Sequence, residues 1–204
     1  MIDSPGLSPG DLLEAVRDVE GLVIRSGTKV TADVIAAAEH LRVVGRAGIG
    51  VDNVDVPAAT RRGIVVVNTP EGNNITTAEH AIALLVSLAR HIPQATASMK
   101  QGQWDKKRFQ GMELFHRTLG LLGLGNIGRI VAARAKGLGM RVAAYDPHIS
   151  AEQAQRLDVE LVDLDTLLER ADVITVHVPR TKETTGLLGR EAFAKVKPGV
   201  LVVN

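Results

Sequence analysis

The run Gly123-Leu124-Gly125-Asn126-Ile127-Gly128 constrains this chain more than any other feature, because of what stands on either side of it. An apolar, strand-like stretch, Thr118–Leu122, leads into it. A helical pattern, Ile127–Leu138, leads out and closes at Gly139, in the place of a C′ glycine. A second strand pattern, Arg141–Tyr145, then ends in Asp146, 18 residues after Gly128. Alone, G-x-G-x-x-G is a weak signal. Set between a strand and a helix, with an acid at that distance, it reads as a dinucleotide-binding fingerprint.

Each residue of the pattern has a physical task. Gly123 permits the tight turn, Gly125 lets the backbone approach a pyrophosphate, and Gly128 lets the helix lie close on its strand. Amides at the helix N-terminus face the phosphates, aided by the helix dipole. Asp146 is placed to accept hydrogen bonds from the adenosine ribose and to repel a 2′-phosphate, which favours NAD over NADP.

The rest of the chain fits around this unit. Strand-like runs recur at Leu22–Arg25, Val43–Arg46, Ile64–Asn68, Val159–Val162, Val173–His177 and Val200–Val203. They are apolar on consecutive residues, the pattern of strands covered on both faces. Helical patterns lie between them at Asp33–Glu39, Glu152–Leu157 and Leu164–Arg170. This alternation predicts an α/β chain of parallel βαβ units: a Rossmann-type doubly wound sheet plus a smaller flavodoxin-like βα domain, both incomplete. The longest helix is expected to start near Thr76, with Thr76 and Glu79 forming a capping box, and to kink or end at Pro93. The expected domains are residues 1–90 and 91–204.

Composition removes several function classes. The 204 residues carry 24 Lys+Arg against 23 Asp+Glu, a formal net charge of +1, which is too balanced for a chain devoted to gripping phosphate backbones. No Cys is present, so disulfides, thiolate metal sites and a Cys nucleophile are out. One Trp, one Tyr and three Phe leave few stacking platforms for single-stranded nucleic acid. The start, Met1 to Gly6, lacks a basic and apolar leader pattern, and the apolar run Ala81–Ala89 is far below the ~20 residues of a membrane span. A cytoplasmic protein with no nucleic-acid or membrane partner is the expectation.

Further segments carry a family likeness. They are Gly45-Arg46-Ala47-Gly48-Ile49-Gly50-Val51-Asp52-Asn53-Val54-Asp55, Asn68-Thr69-Pro70-Glu71-Gly72-Asn73, Thr77-Ala78-Glu79-His80 and Val176-His177-Val178-Pro179. Together with Gly123–Gly128 they resemble the D-2-hydroxyacid dehydrogenase family over nearly the whole chain, from about Leu7 to Asn204. Ile24-Arg25-Ser26, Val30–Ile35 and Ile92–Lys100 are most like the members that oxidise 3-phosphoglycerate with NAD to open serine synthesis. The resemblance implies a partial substrate domain followed by an NAD-binding domain, through which relatives form homo-oligomers. It implies that Arg25, Ser26 and Arg46 hold the anionic substrate, and that the amides of Gly48, Ile49 and Gly50 take its carboxylate. Thr69 and Thr77 would lie near the cofactor, Asn126 and Ile127 on its pyrophosphate, and Val178 and Pro179 on its adenosine side. The family's catalytic Arg, Glu and His would fall beyond Asn204, and its first strand and helix before this start. Rival readings are another 2-hydroxyacid dehydrogenase, such as a glyoxylate or hydroxypyruvate reductase, and an NAD-sensing corepressor-like protein.

Other residues read more plainly. His80 and His177 sit in family-like motifs but away from the acid–base position, and are expected to pack. His40, His91, His116 and His148 are expected in solvent, and no metal site is expected, since no His pair has helical i, i+4 spacing. Lys106-Lys107-Arg108 reads as a solvated loop, Trp104 as the anchor of a crossover at Gln101–Arg117, and Arg61-Arg62 as an exposed helix end.

Overall fold

The computed structural model describes residues 3–204. The chain forms two compact units, Met1–Asn73 and Asn74–Asn204. In the first unit the order is α1 (Pro9–Ala15), β1 (Gly21–Ile24), α2 (Ala32–Ala37), β2 (Val43–Arg46), α3 (Val56–Arg61) and β3 (Val65–Asn68). Each helix starts on a residue that sequence chemistry selects. The side chains of Ser8, Thr31 and Asp55 accept the amides of Asp11, Val34 and Ala58. At the far end of α3, the Arg62 guanidinium donates to the carbonyls of Ile35, Ala36 and Glu39, so it caps α2 rather than standing in solvent alone.

The strands pair in parallel in the order β1-β2-β3, with Leu22 opposite Val44 and Val44 opposite Val66. Successive right-handed crossovers that step in one direction leave all their helices on one side of a sheet. The core accordingly forms on one face, where Ile24, Val44, Leu22 and Val66 meet Leu12, Val16, Val34, Ile35, Ala58 and Ala59. On the other face Val23 is 83% exposed, and Val65 and Val67 are also open. The expectation of strands buried on both faces therefore fails in this unit.

It holds in the second. That unit runs α4 (Asn74–Ala89), α5 (Ile92–Lys100), β4 (Thr118–Leu122), α6 (Asn126–Gly137), β5 (Arg141–Tyr145), α7 (Ala151–Arg156), β6 (Glu160–Leu161), α8 (Leu164–Arg170), β7 (Val173–Val176), α9 (Arg190–Phe193) and β8 (Leu201–Val203). The parallel order is β6-β5-β4-β7-β8, so the winding reverses between β4 and β7. Reversal puts helices on both faces, and every residue of β4 is buried. One layer packs Leu119, Leu121, Ala144 and Val173 against α4 and α6; the other packs Leu122 and Ile174 against Leu167, Leu168 and Ala192.

The longest helix departs from the expected start. It begins at Asn74, so Thr76 lies inside the first turn and is no N-cap. Glu79 points instead to α6, where Arg134 donates to it at 3.1 Å. Because α4 packs on α6 and β8, it goes with the second unit, and the compact units divide at Asn73/Asn74 rather than near residue 90. The break before α5 is made by His91, whose φ of 53° is left-handed; Pro93 then falls in the first turn of α5. Trp104 is 71% exposed, with the Lys106 ammonium 5.3 Å from its ring centroid, so it is no buried anchor of the crossover. A short polypeptide crossover leaves no core for so large a ring.

The strand ends opposite the glycine loop are tied by one acid. Asp172 accepts the Thr118 amide at 2.8 Å and the Lys197 ammonium at 3.1 Å, with Arg117 at 3.8 Å. Burial works against its charge, but the Thr118 amide, Lys197 and Arg117 outweigh it and hold the carboxyl below the usual carboxylate range. A carboxylate with a depressed folded pKa contributes stability above its unfolded value of about 3.9, and that contribution is lost as pH falls through the folded value. Asp172→Ala is expected to cost roughly 1–3 kcal/mol by orphaning a buried amide. Melting curves taken across acid and neutral pH should show the loss at neutral pH and a flatter acid limb in the variant.

Candidate functional site

The carboxyl ends of β4, β5 and β7 converge at the point where the winding reverses, the place where open α/β sheets bind ligands. The turn after β4 enters it through Gly123, whose φ is 91°. A Cβ there would stand 2.7 Å from the His177 carbonyl and 3.0 Å from Val178 Cγ1. Gly128 faces inward: a Cβ would run into the Gly123 carbonyl, with Leu121 Cδ2 at 3.5 Å behind it. Gly125 is different, since nothing stands within 4 Å of where its Cβ would be. No packing demand explains a glycine at Gly125. Space for an approaching group does.

Donors line that space. Gly125 is the N-cap of α6 and offers no side chain to cap it, unlike the Ser150 and Asp163 caps of α7 and α8. Among the described residues, no hydrogen bond engages the amides of Gly125, Asn126, Ile127 or Gly128. Unspent amides at the start of a 12-residue helix suit an anion. The observations therefore fit a pyrophosphate. Arg129, which the sequence reading passed over, folds back on this loop: its Nε donates to the Gly125 carbonyl at 3.2 Å and a terminal nitrogen to Asn126 Oδ1 at 3.1 Å. Only its i−3 and i−4 spacing on α6 could have pointed to it.

Asp146, at the end of β5, accepts the Leu124 amide at 2.8 Å and the His148 amide at 2.9 Å. One carboxylate oxygen thus holds the glycine loop itself. A carboxylate has about four acceptor positions, so two remain for ligand hydroxyls. Just after β7, His177 lies half-buried with Nε2 2.9 Å from the Thr175 hydroxyl. Burial pushes its imidazole below the usual value, which favours the uncharged ring. Val178 is half-buried against Gly123, while Pro179 is exposed and its carbonyl accepts the Thr184 hydroxyl at 2.6 Å.

The first unit gathers the other named residues at the ends of its strands. Arg46, closing β2, lays its guanidinium where a Gly48 Cβ would be, and its buried Nε has no hydrogen-bond partner. Arg25 and Ser26 follow β1 and are exposed. Asn53 pins that loop by donating to the carbonyls of Arg25 and Thr28 at 3.0 and 2.6 Å. Thr69 donates its amide to the Gly48 carbonyl at 3.0 Å. Thr77 is half-buried in the first turn of α4, so the two threonines belong to different units. His80 is exposed, contrary to the packing expected of it, because it falls on the outer side of α4. Among the described residues there is no cluster of three or more His, Asp or Glu able to hold a metal.

With this geometry, comparison with known proteins is decisive. Residues 82–204 match the model described as D-isomer specific 2-hydroxyacid dehydrogenase, NAD binding domain. The chain belongs to this family. The matched span, which contains the glycine loop and Asp146, is the family's NAD-binding domain. Among relatives in the D-isomer specific 2-hydroxyacid dehydrogenase family, the D-3-phosphoglycerate dehydrogenase of Archaeoglobus fulgidus is 58% identical over 199 residues, which are 98% of this chain and 38% of that protein. The chain thus spans well under half the length of the curated relatives it matches. Among solved structures, a protein from Thermus thermophilus superposes with a TM-score of 0.91 at 35% identity, covering 98% of this chain and 63% of that one. The D-lactate dehydrogenase of Aquifex aeolicus, complexed with NAD and lactic acid, does so with a TM-score of 0.85 at 27% identity, covering 93% and 57%.

Proposed function

We propose that this chain forms the NAD-binding portion and part of the substrate-binding portion of a D-3-phosphoglycerate dehydrogenase, which oxidises 3-phosphoglycerate to 3-phosphohydroxypyruvate. The observation that carries this reading is the loop of unspent amides at Gly125–Gly128, in a chain 58% identical over nearly its whole length to a protein of that name. In this reading Gly123, Gly125, Asn126, Ile127 and Gly128 hold the pyrophosphate, and Asp146 the adenosine ribose. Val178 and Pro179 flank the adenosine, and Thr69 and Thr77 are further cofactor-binding residues. Residues 1–90 and 91–204 carry the substrate and nucleotide roles, with α4 (Asn74–Ala89) ending the first span in sequence while packing in the second compact unit. Arg25, Ser26 and Arg46 attract the anionic substrate, and the amides of the Gly48–Gly50 turn take its carboxylate. Bound NAD supplies the hydride acceptor; this chain orients and excludes.

None of the six histidines serves as the acid–base group in this proposal. Calorimetry on the 204-residue chain is expected to show NAD binding, with NADP weaker by at least about tenfold because Asp146 repels a 2′-phosphate. No steady NADH formation is expected when 3-phosphoglycerate is added. Turnover would show that one of the present histidines is the base. Failure to bind NAD at all would remove the reading.

Two finer statements go with it. A homo-oligomer forms through the second unit, whose large apolar side chains Trp104, Phe115 and Met99 stand 71%, 57% and 52% exposed. The biosynthetic role puts the protein in the cytoplasm; no described helix is long and apolar enough to cross a membrane.

A further inference from the structure

We propose that Asn68 is a positioning residue for the substrate carboxylate, acting through the Ile49 carbonyl. The inference rests on the reading of the Gly48–Gly50 turn as the carboxylate site. Two groups at the end of β3 take hold of this turn. The Thr69 amide donates to the Gly48 carbonyl at 3.0 Å, and Asn68 Nδ2 donates to the Ile49 carbonyl at 2.7 Å. In a planar trans peptide, the carbonyl of one residue and the amide of the next point in opposite directions. Drawing both carbonyls toward β3 therefore turns the amides of Ile49 and Gly50 away from it, side by side.

Those amides are unspent. Among the described residues no hydrogen bond engages the N–H of Ile49, which is half-buried, or of Gly50, which is exposed. Two adjacent, co-directed donors form a concave anion site. The Arg46 guanidinium crosses the same turn at Gly48, with a buried Nε that also lacks a partner, so the local donors outnumber the local acceptors. An anion supplies what is missing. Without the Asn68 grip, the Ile49–Gly50 peptide is free to rotate, because Gly50 offers little steric resistance, and the pair of donors is lost.

Asn68 touches no substrate in this scheme, so its removal must be read at the amides. The test is a titration of the ¹⁵N-labelled chain with D-glycerate, which carries the carboxylate without a phosphate, and in parallel with inorganic phosphate. For the native chain, D-glycerate is expected to move the Ile49 and Gly50 amide resonances, and inorganic phosphate to leave both in place. Asn68→Ala and Asn68→Asp are expected to weaken the D-glycerate response about tenfold, the loss of one oriented hydrogen bond. NAD affinity, read on the other unit, should stay unchanged. Variants that bind D-glycerate within twofold of the native chain, with the same two resonances moving, would overturn the role of Asn68 and leave the carboxylate site standing. A native chain in which D-glycerate moves neither amide would overturn the carboxylate site itself. Should both variants unfold, the scalar coupling across the hydrogen bond from Asn68 Nδ2 to the Ile49 carbonyl carbon in the native chain decides; its absence would sink the proposal.

Discussion

Gly125→Val should weaken NAD binding by about a hundredfold while leaving thermal stability nearly untouched, and Gly128→Ala should damage both. The difference follows from where each new carbon goes. At Gly125 the new Cβ enters open space, so folding bears only the poorer N-cap, under about 1 kcal/mol. The space is where a pyrophosphate must come close to bare amides, so binding bears the main cost. At Gly128 the carbon meets the Gly123 carbonyl, which is backbone and cannot rotate aside. Overpacking of this sort costs about 1–3 kcal/mol, against at most about 1 kcal/mol regained from replacing a helical glycine. The helix must lift from β4, carrying the amides of Asn126 and Ile127 away from the phosphates. Calorimetric titration with NAD and a melting curve on each variant separate the cases. Equal loss of stability in both would show that Gly125 is kept for folding, not for a ligand.

Asp146→Ala carries the second large effect, because one side chain serves two tasks. Its carboxylate holds the Leu124 amide at 2.8 Å, fixing the loop from below, and keeps acceptor positions for the ribose. Hydrogen bonds to a charged group contribute about 1.5–3 kcal/mol each, so NAD affinity should fall by roughly tenfold to a hundredfold. NADP affinity should fall less, or rise, since the charge that repels a 2′-phosphate goes with the side chain. The ratio of the two dissociation constants is the measurement. An unchanged ratio would remove Asp146 from cofactor selection and leave it only its loop-holding bond. Asp146→Asn sharpens the comparison, as its amide can still contact hydroxyls but carries no charge.

Much of this site was legible residue by residue. The glycines of the nucleotide loop could be sorted by role because strand, turn, helix and acid occupy one short stretch of chain, and local geometry is set by neighbours in sequence. The strand N-terminal ties at Asp172 were not legible: its partners Thr118 and Lys197 come from distant stretches, and an Asp before an apolar run looks like any strand-edge acid. Asn68 and Asn53 were missed for the same reason. Each acts through a carbonyl 19 or more residues away, and nothing in a side-chain pattern marks which carbonyl that is. Thr76 shows the opposite failure. Its sequence context satisfies a capping box, yet α4 begins two residues earlier, at Asn74, which is buried. Tertiary packing overrode a local rule worth only about 1 kcal/mol.

Read by itself, the chain determined its class, its parallel strands, its glycine loop and the acid that follows, because these depend on periodicity, turn chemistry and short spacing. Strand order was beyond it. Parallel pairing is decided by which buried faces fit together at long range, and only that order shows the winding reversing between β4 and β7 but not among β1, β2 and β3. From it follow the site's location at the reversal, the second unit's two-sided core, and the bare valine face of the first. The direction of the unspent amides is likewise a tertiary fact. A glycine permits a turn, but the long-range hydrogen bonds made by Asn68, Thr69 and Asp146 decide which way its donors face.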